Sequence, residues 1–417
     1  MVDNVVEAVQ AVRDGRAEVE TVEVTDGVYF QSYFSGVTAF ETGDGLVLVD
    51  TGLRALAPAL AESLREHTDA PVDTVVYTHG HVDHAYGLEA FLVDGQEPPE
   101  VIAHEAMADR FRRYARTKGH NEAINARQFG ATVDMADLMY EDGSPFGVPE
   151  HPPTTTYRDA LSIDVGGLRF QVRHGRGETD DHSWVWCPDR EVLCPGDFFI
   201  GVAPNAGNPQ KVQRYPGEWV DALREMAARE PRHLCPGHGD AVVDDPAGIE
   251  RRLRTTAEYL ETVVDRTLAA LNDESPPHAD IVTGVEYPDA DEPWLEAQYD
   301  EPEFIARSVI RRYGGWWTGR PCELKPAPRG DVAGEFADLA GGADALAERA
   351  RELSEAGEHR RASHLADAAL EAAPEDEAVQ SAVGDVYQAR ATVQTSMMAR
   401  NLYRSAAAYA RSGRPYR

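Results

Sequence analysis

One short segment constrains the fold of this chain more than any other: residues 78–87, THGHVDHAYG. The apolar run before it, VDTVVY at residues 72–77, predicts a short buried strand that leads directly into the segment. Four side chains of metal-ligand type follow within six positions: His79, His81, Asp83 and His84. Imidazole and carboxylate groups together are donors that suit zinc, and they make a poor apolar core. The segment therefore predicts a metal site, with the first two histidines able to reach one ion and the second pair another.

The remaining pattern divides the chain into a strand-rich part and a helical part. Strand and helix patterns alternate from about residue 22 to the turn CPGHGD, which predicts an α/β or layered α+β domain. A helical stretch, a Pro- and acid-rich connector and Ala- and Leu-rich helices follow. The predicted domains are residues 1–245, 246–330 and 331–417. One tetratricopeptide-like unit is indicated by small residues and a proline at its positions: Gly357, Ala362, Ala369, Leu370 and Pro374. A single unit cannot cover its own apolar face, so it must pack on other helices or on another protomer.

Charge limits the partners of this chain. It carries 72 acidic and 40 basic residues, a formal net charge of -32, with lysine only at Lys118, Lys211 and Lys325. Such a surface repels phosphate backbones and anionic lipid, so we expect neither nucleic acid nor membrane as a partner. An ordinary acidic protein would explain the charge, but the size of the excess favours halophilic adaptation. Residues 390–417 hold six arginines and no acidic residue. These arginines could complement the partial negative charge of helix C-termini, or they could dock on an acidic surface of a partner.

The cysteines and the hydropathy pattern bear on the compartment. The four cysteines form no C-x-x-C pair and no dense framework, which is typical of free thiols in a reducing compartment. No apolar stretch is long enough for a signal peptide or a membrane span. We therefore expect a cytoplasmic protein.

The segment THGHVDH resembles the H-x-H-x-D-H motif of the metallo-β-lactamase superfamily. Later strand-then-turn contexts hold further matches to that pattern: His182 in GETDDHSWVW, Asp197 in VLCPGDFF and His238 in CPGHGD, with an early aspartate, Asp50, in LVLVDTG. The resemblance implies an αββα sandwich of the α+β class. Iron redox chemistry on this fold is disfavoured, since it typically places glutamate where Gly80 stands.

The resemblance also implies a metal-ligand set with two Zn²⁺ ions per chain. One ion would take His79, His81 and His182, and the other would take Asp83, His84 and His238. Asp197 would lie between the ions, and Asp83 and Asp197 would hold a bridging hydroxide for hydrolysis. Asp50 would fix the loop rather than bind metal.

Four further segments resemble the alkyl sulfatase branch of this superfamily: GETDDHSWVWCPDREVLCPGDFF, RYPGEWVDAL, GGWWTGRPCELKPAP and FADLAGGADALAERARELSEAG. That branch implies hydrolysis of alkyl sulfate esters and an all-α, tetratricopeptide-like dimerisation domain, hence a homodimer. Two departures stand out: the better-known members use glutamates near the later ligand positions, and Pro204-Asn205 replaces their His-Asn pair. Five residues are candidates for sulfate recognition: Asn125, Arg127, Asn205, Lys211 and Arg214.

Two other hypotheses stay open at this point. The same metal site could hydrolyse a thioester, a lactone or a phosphodiester, because the fold does not name the substrate. A partner-binding scaffold with a structural metal is the third hypothesis. The number of ligands argues against the scaffold, since structural zinc sites are usually single, closed and four-coordinate.

Overall fold

The structure is a computed structural model that describes residues 11–12, 14, 18–129, 144–273 and 276–413. The chain forms two compact units. Of the described residues, the larger unit comprises those up to residue 121 and those from 144 to 315, and the smaller comprises residues 122–129 and 316–413. The three-domain division made from the sequence stays a prediction.

Two β-sheets organise the larger unit. Seven strands form the first sheet in sequential order: β1 Thr21–Thr25, β2 Val28–Ser32, β3 Gly36–Glu41, β4 Leu46–Val49, β5 Val72–Val76, β6 Glu100–His104 and β7 Thr155–Tyr157. Five strands form the second sheet in the order β12-β11-β10-β9-β8: β8 Ala160–Val165, β9 Leu168–His174, β10 Ser183–Cys187, β11 Val192–Gly196 and β12 His233–Pro236. Strands β4 to β7 run parallel, and so do β11 and β12.

Most helices in the described part of this unit pack on the outer faces of the sheets. The helices are α1 Ala57–Arg65, α2 Met107–Arg116, α4 Pro216–Ala227, α5 Pro246–Asn272, α6 His278–Gly284 and α7 Pro302–Tyr313. Of these, α6 packs on α5 and α7 instead. Helix α3, Lys118–Gln128, begins in the larger unit and continues into the smaller one.

Alternation along the strands explains why the sheets stack. In β4, Leu46 and Leu48 pack with α1, whereas Val47 and Val49 enter the core between the sheets. Phe170 and Val172 of β9 reach the same inter-sheet core from the second sheet. Trp219 of α4 packs on the far side of the second sheet. Each sheet thus buries both faces, and the predicted αββα sandwich of the α+β class is confirmed.

The smaller unit is helical in its described part. Its helices are α8 Arg329–Ala340, α9 Ala343–Glu355, α10 His359–Ala372, α11 Glu377–Thr392 and α12 Met397–Arg411. Helices α9 and α10 form a hairpin across Gly357, whose φ of +80° favours glycine. Alanines make much of the core here, among them Ala350, Ala362, Ala366 and Ala369, so the helices can approach closely. The predicted all-α, tetratricopeptide-like region is confirmed.

None of the described helices is long and apolar enough to cross a membrane.

Candidate metal centre

The predicted ligands come together at one edge of the sandwich because strands end there. The segment with His79, His81, Asp83 and His84 follows β5, Asp197 follows β11, and His238 comes two residues after β12. Strands β11 and β12 are parallel neighbours, so their carboxyl ends meet at the same edge. Glu178 and His182 lie in the loop between β9 and β10.

Asp50 fixes the ligand loop from the end of β4. Its backbone has a φ of +61°, and one carboxylate oxygen accepts from the Thr78 amide at 2.7 Å. The other oxygen accepts from the Thr78 hydroxyl at 2.7 Å and lies 2.8 Å from His84 Nδ1. Asp50 is therefore a loop-fixing residue that turns the Nε2 atom of His84 toward the centre.

Ligand-type atoms gather in two adjacent groups. The first group holds His79, His81, Glu178 and Asp197, and the second holds Asp83, His84 and His238; within each group the atoms lie within 4.8 Å of one another. Asp197 reaches both groups. Its Oδ1 lies 3.2 Å from His84 Nε2, and its Oδ2 lies 3.4 Å from His238 Nε2 and 3.8 Å from His79 Nε2.

Each of three histidines has one ring nitrogen tied to the protein and the other turned to the centre. His79 Nδ1 lies 3.0 Å from the Thr78 hydroxyl, and His238 Nδ1 lies 2.5 Å from the Phe34 carbonyl oxygen. His84 Nδ1 bonds Asp50, as described above. Such outer contacts fix the ring orientation that a metal ligand requires.

The donor set fits a divalent metal. Four ligand-type atoms are buried without a hydrogen-bond partner in the described structure: His182 Nδ1 and, within the two groups, His84 Nε2, Glu178 Oε2 and Asp197 Oδ1. Buried polar atoms of this kind are costly unless something pairs with them, and neighbouring carboxylates repel each other without a cation. The arrangement therefore calls for positive charge between these atoms.

Electrostatics in the first group favour neutral imidazoles. Burial, together with the neighbouring His84, lowers the pKa of His79 well below its usual value. Burial and the Arg214 guanidinium do the same to the pKa of His81. A histidine must be neutral to bind metal, so these shifts suit ligands. In the second group burial opposes protonation, but the carboxylates of Asp197, Asp83 and Asp50 raise the pKa of His84.

Glu178, which the sequence analysis did not select, lies where His182 was expected. Among the described residues, His182 joins neither group. Its Nε2 accepts from the Asp197 amide at 3.1 Å, and its ring stacks on Phe198 with centroids 4.1 Å apart. The sequence feature that could have indicated this ligand is the acidic residue Glu178 itself, which stands four positions before His182 in the segment GETDDH.

Two of the residues predicted to recognise sulfate contact Glu178. Asn205 Nδ2 donates to Glu178 Oε1 at 2.5 Å, and Arg214 Nη1 lies 3.1 Å from the same oxygen. Both side chains are buried, with Arg214 only 1% exposed. They leave Oε2 of Glu178 free for a metal.

The other three candidates lie in different surroundings. Lys211 is half-buried, and its pKa is lowered to about 7 by burial and by Arg214, against the carboxylates of Glu178 and Asp83. Asn125 and Arg127 lie on the part of α3 that belongs to the smaller unit. Asn125 is buried there, and Arg127 Nε donates to the Ala123 carbonyl at 3.3 Å.

Gly80, between the first two histidines, is held by a buried ion pair. Its amide donates to Asp181 Oδ2 at 3.0 Å, and Arg110 Nε donates to Asp181 Oδ1 at 2.8 Å. A Cβ at position 80 would lie 2.7 Å from Arg110 Cδ and 3.0 Å from that Asp181 oxygen. The glutamate expected at this position for iron redox chemistry would therefore collide with the pair.

Comparison with known proteins agrees with this architecture. Residues 34–238 match the metallo-beta-lactamase superfamily, and residues 278–413 match the family described as alkyl sulfatase dimerisation. The two matches follow one another along the chain in the order that the resemblance implied, a metallo-beta-lactamase region and then an alkyl sulfatase dimerisation region. Both parts of the predicted resemblance are confirmed.

Several of the named relatives are alkylsulfatases. A linear primary-alkylsulfatase of Pseudomonas sp. (strain ATCC 19151) is 28% identical over 79% of this chain and 65% of its own length. An alkyl/aryl-sulfatase of Saccharomyces cerevisiae is 23% identical over 95% of this chain and 64% of its own length. The structure of a stereoselective inverting sec-alkylsulfatase from Pseudomonas sp. superposes with a TM-score of 0.83 at 20% identity, covering 95% of this chain and 66% of that one. This chain therefore spans a little under two thirds of the length of these curated relatives.

Proposed function

We propose that this protein is a dinuclear zinc hydrolase that cleaves alkyl sulfate esters and acts as a homodimer. The observation that carries the proposal is the pair of adjacent donor groups that share Asp197. The alkylsulfatase relatives and the dimerisation region support the substrate class and the self-association.

The ligand assignment follows the geometry. His79, His81 and Glu178 form one site, Asp83, His84 and His238 form the other, and Asp197 serves both. Imidazole and carboxylate donors of this kind suit zinc, and three protein ligands per ion leave positions for water and substrate.

Two zinc ions bound there would act as Lewis acids and lower the pKa of a water toward neutrality. Asp197 reaches both groups and Asp83 belongs to the second, so we assign to their carboxylates the hydrogen bonds that orient the attacking water. Hydrolysis adds this water across the ester, giving an alcohol and hydrogen sulfate, which releases its proton to solvent.

Charge in the pocket suits an anionic ester. The proposed ligands include three carboxylates, Asp83, Glu178 and Asp197, against the four positive charges of two divalent ions. Lys211 is three residues before Arg214, which contacts Glu178, and we assign its ammonium group to the sulfate. Asn205 and Arg214 position Glu178.

The test is release of sulfate from octyl sulfate by the zinc-loaded full chain. His81→Ala removes a ligand, so we expect activity to fall by about a thousandfold or more and the zinc content to drop from two ions per chain. His364→Ala, an exposed histidine in the smaller unit, is the matched control and should retain both.

The outcomes separate the hypotheses. No sulfate release from a folded chain holding two zincs would reject the sulfatase and direct the screen to thioesters, lactones and phosphodiesters. One tightly held zinc that supports no turnover would favour a structural metal and overturn the hydrolase.

A further inference from the structure

Helix α8 buries small residues and exposes its large apolar residues to solvent, the opposite of the usual amphipathic helix. Its buried residues are two alanines, Ala333 and Ala337, exposed by 2% and 9%. Its large apolar residues face solvent: Val332 is 39% exposed, Phe336 52% and Leu339 86%. These three lie at positions i, i+4 and i+7, which is one face of a helix. We call this face, Val332, Phe336 and Leu339, the α8 stripe.

Exposed apolar side chains are frequent in the part of the sequence that contains this stripe. Of thirteen large hydrophobic residues exposed in the described structure, six fall within the 24 positions 316–339: Trp316, Trp317, Leu324, Val332, Phe336 and Leu339. Single exposed hydrophobic residues are normal on protein surfaces, whereas a contiguous apolar face marks an interaction site. Burying alanine while exposing phenylalanine and leucine forgoes apolar stabilisation within the unit, so the stripe indicates a second surface that covers it.

A second copy of this chain is the occupant that the observations favour. The stripe lies within residues 278–413, the region that matches alkyl sulfatase dimerisation. One acidic residue, Asp331, precedes the stripe and two, Glu335 and Asp338, stand between its members, and these disfavour nucleic acid and anionic lipid. Two chains of net charge -32 repel each other, so association needs apolar contact of this kind.

The spacing also suits a two-fold contact. Two α8 helices crossing antiparallel near Phe336 would bring Val332 of each copy opposite Leu339 of the other, with the two phenylalanines at the axis. Such a face is self-complementary, as an isologous interface requires. We infer that the α8 stripe is the surface through which two copies of this chain associate. This inference rests on the homodimer of the proposed function.

The experiment measures the mass of the full chain by light scattering and sedimentation equilibrium in 0.5 M NaCl. Phe336→Glu with Leu339→Glu introduces charge into the stripe, and we expect the dimer dissociation constant to rise about a hundredfold or more. Both side chains face solvent, so the far-UV circular dichroism and melting temperature of the variant should stay close to those of the parent chain. Leu339→Ser alone is a milder second variant, with an expected rise of about tenfold.

Val393→Glu is the matched control, because Val393 is an apolar residue of the same unit, 56% exposed and outside α8. It should leave the dissociation constant unchanged. A parent chain that is monomeric at all concentrations would overturn the inference, and so would a double variant that dimerises as tightly as the parent. Equal weakening by Val393→Glu would also overturn it, since the effect would then be general to added charge.

Sulfate release from octyl sulfate is measured on the same samples. If the stripe variants dissociate but the parent chain releases no sulfate, the interface stands and the proposed activity fails. If the parent chain releases sulfate and the variants stay dimeric, the activity stands and the interface fails.

Discussion

Contacts with two neighbouring side chains orient the carboxylate of Glu178 at the centre. One carboxylate oxygen is taken by Asn205 and Arg214, and the other is buried without a hydrogen-bond partner in the described structure. Burial raises the pKa of Glu178 and Arg214 opposes this, so the guanidinium helps to keep the carboxylate ionised. A ligand prepared in this way loses little conformational freedom when a cation binds.

Removing the guanidinium tests this role. We expect Arg214→Met to lower the free energy of unfolding of the metal-free chain by roughly 3–5 kcal/mol, because it leaves a buried carboxylate unpaired. We also expect about a tenfold or greater loss of zinc affinity, since Glu178 loses a contact that orients it. Chemical denaturation and competition with a chelator measure the two quantities.

Two further variants make that result specific. Adding Glu178→Gln to Arg214→Met should restore part of the unfolding free energy, because the unpaired charge is gone. Arg224→Met removes a surface pair with Glu261, 2.6 Å long, and should change neither quantity appreciably. The two single variants and the double variant form a double-mutant cycle. If their effects on the free energy of unfolding are additive, the Arg214 and Glu178 side chains are not coupled.

At the scale of elements, one buried carboxylate joins the loop after β11 to the start of α7. Asp300 is fully buried and accepts from the amides of Gly207 at 2.6 Å, Asn208 at 3.2 Å and Glu301 at 2.8 Å. The loop it holds carries Asn205, which contacts Glu178. A Cβ on Gly207 would lie 2.4 Å from the Phe304 backbone, so the close approach of loop and helix requires glycine there.

Asp300 gives this junction a pH dependence with a defined sign. Burial raises its pKa to about 7, although the amide hydrogen bonds favour the carboxylate. The folded chain therefore keeps a proton that the unfolded chain has lost, and stability falls as pH rises from about 4 to about 7. We expect this group to cost about 1.4 kcal/mol of unfolding free energy per pH unit between about pH 5 and 6.5.

The difference in unfolding free energy between the parent chain and Asp300→Asn isolates that contribution. Denaturant titrations at pH 5, 6 and 7 should show the difference shrinking as pH rises, because the amide of the variant does not titrate. Asp289→Asn, at an exposed position, should give a difference that is constant with pH. A constant difference for Asp300→Asn as well would contradict the raised pKa.

At the scale of the whole molecule, charge is the dominant feature. Surface ion pairs exist, such as Arg232 with Asp244 at 2.6 Å, but the net charge of -32 leaves a large acidic excess that repels itself. Salt screens both the attraction within the ion pairs and the repulsion among the excess acidic residues. The repulsion is the larger of the two, so its screening dominates.

We therefore expect the melting temperature of the zinc-loaded chain to rise by about 5 °C or more between 0.1 and 2 M NaCl at pH 7.5. The same salt series near pH 5, close to the sequence pI of about 4.7, should give a smaller rise because less charge remains to be screened. Scanning calorimetry measures both. A melting temperature that falls with salt at pH 7.5 would reject halophilic adaptation.

Features of the fold and of the metal centre could be predicted where they depend on residues close together in sequence. His79, His81, Asp83 and His84 sit in one short loop after a buried strand, so the sequence alone places them together. Local alternation and helical periodicity likewise predicted an α/β or layered α+β domain followed by helices, whereas the two-sheet sandwich was implied by the family resemblance. These features depend on residues close in sequence, which local patterns describe well.

Tertiary structure decided what depends on contacts between distant segments. Glu178 and His182 stand in the same turn, and only the path of that turn brings Glu178 to His81, 3.6 Å away, and His182 to the Asp197 amide. Arg214 was selected for sulfate recognition, which stays a prediction, and folding over 36 residues also places its guanidinium 3.1 Å from Glu178. The spacing of the apolar residues in α8 likewise predicts a helix. It does not predict that the alanines are buried and that the α8 stripe is exposed. The reason is the same in each case: residue type limits what a side chain can bind, but the packing of segments far apart in sequence determines which partner it meets.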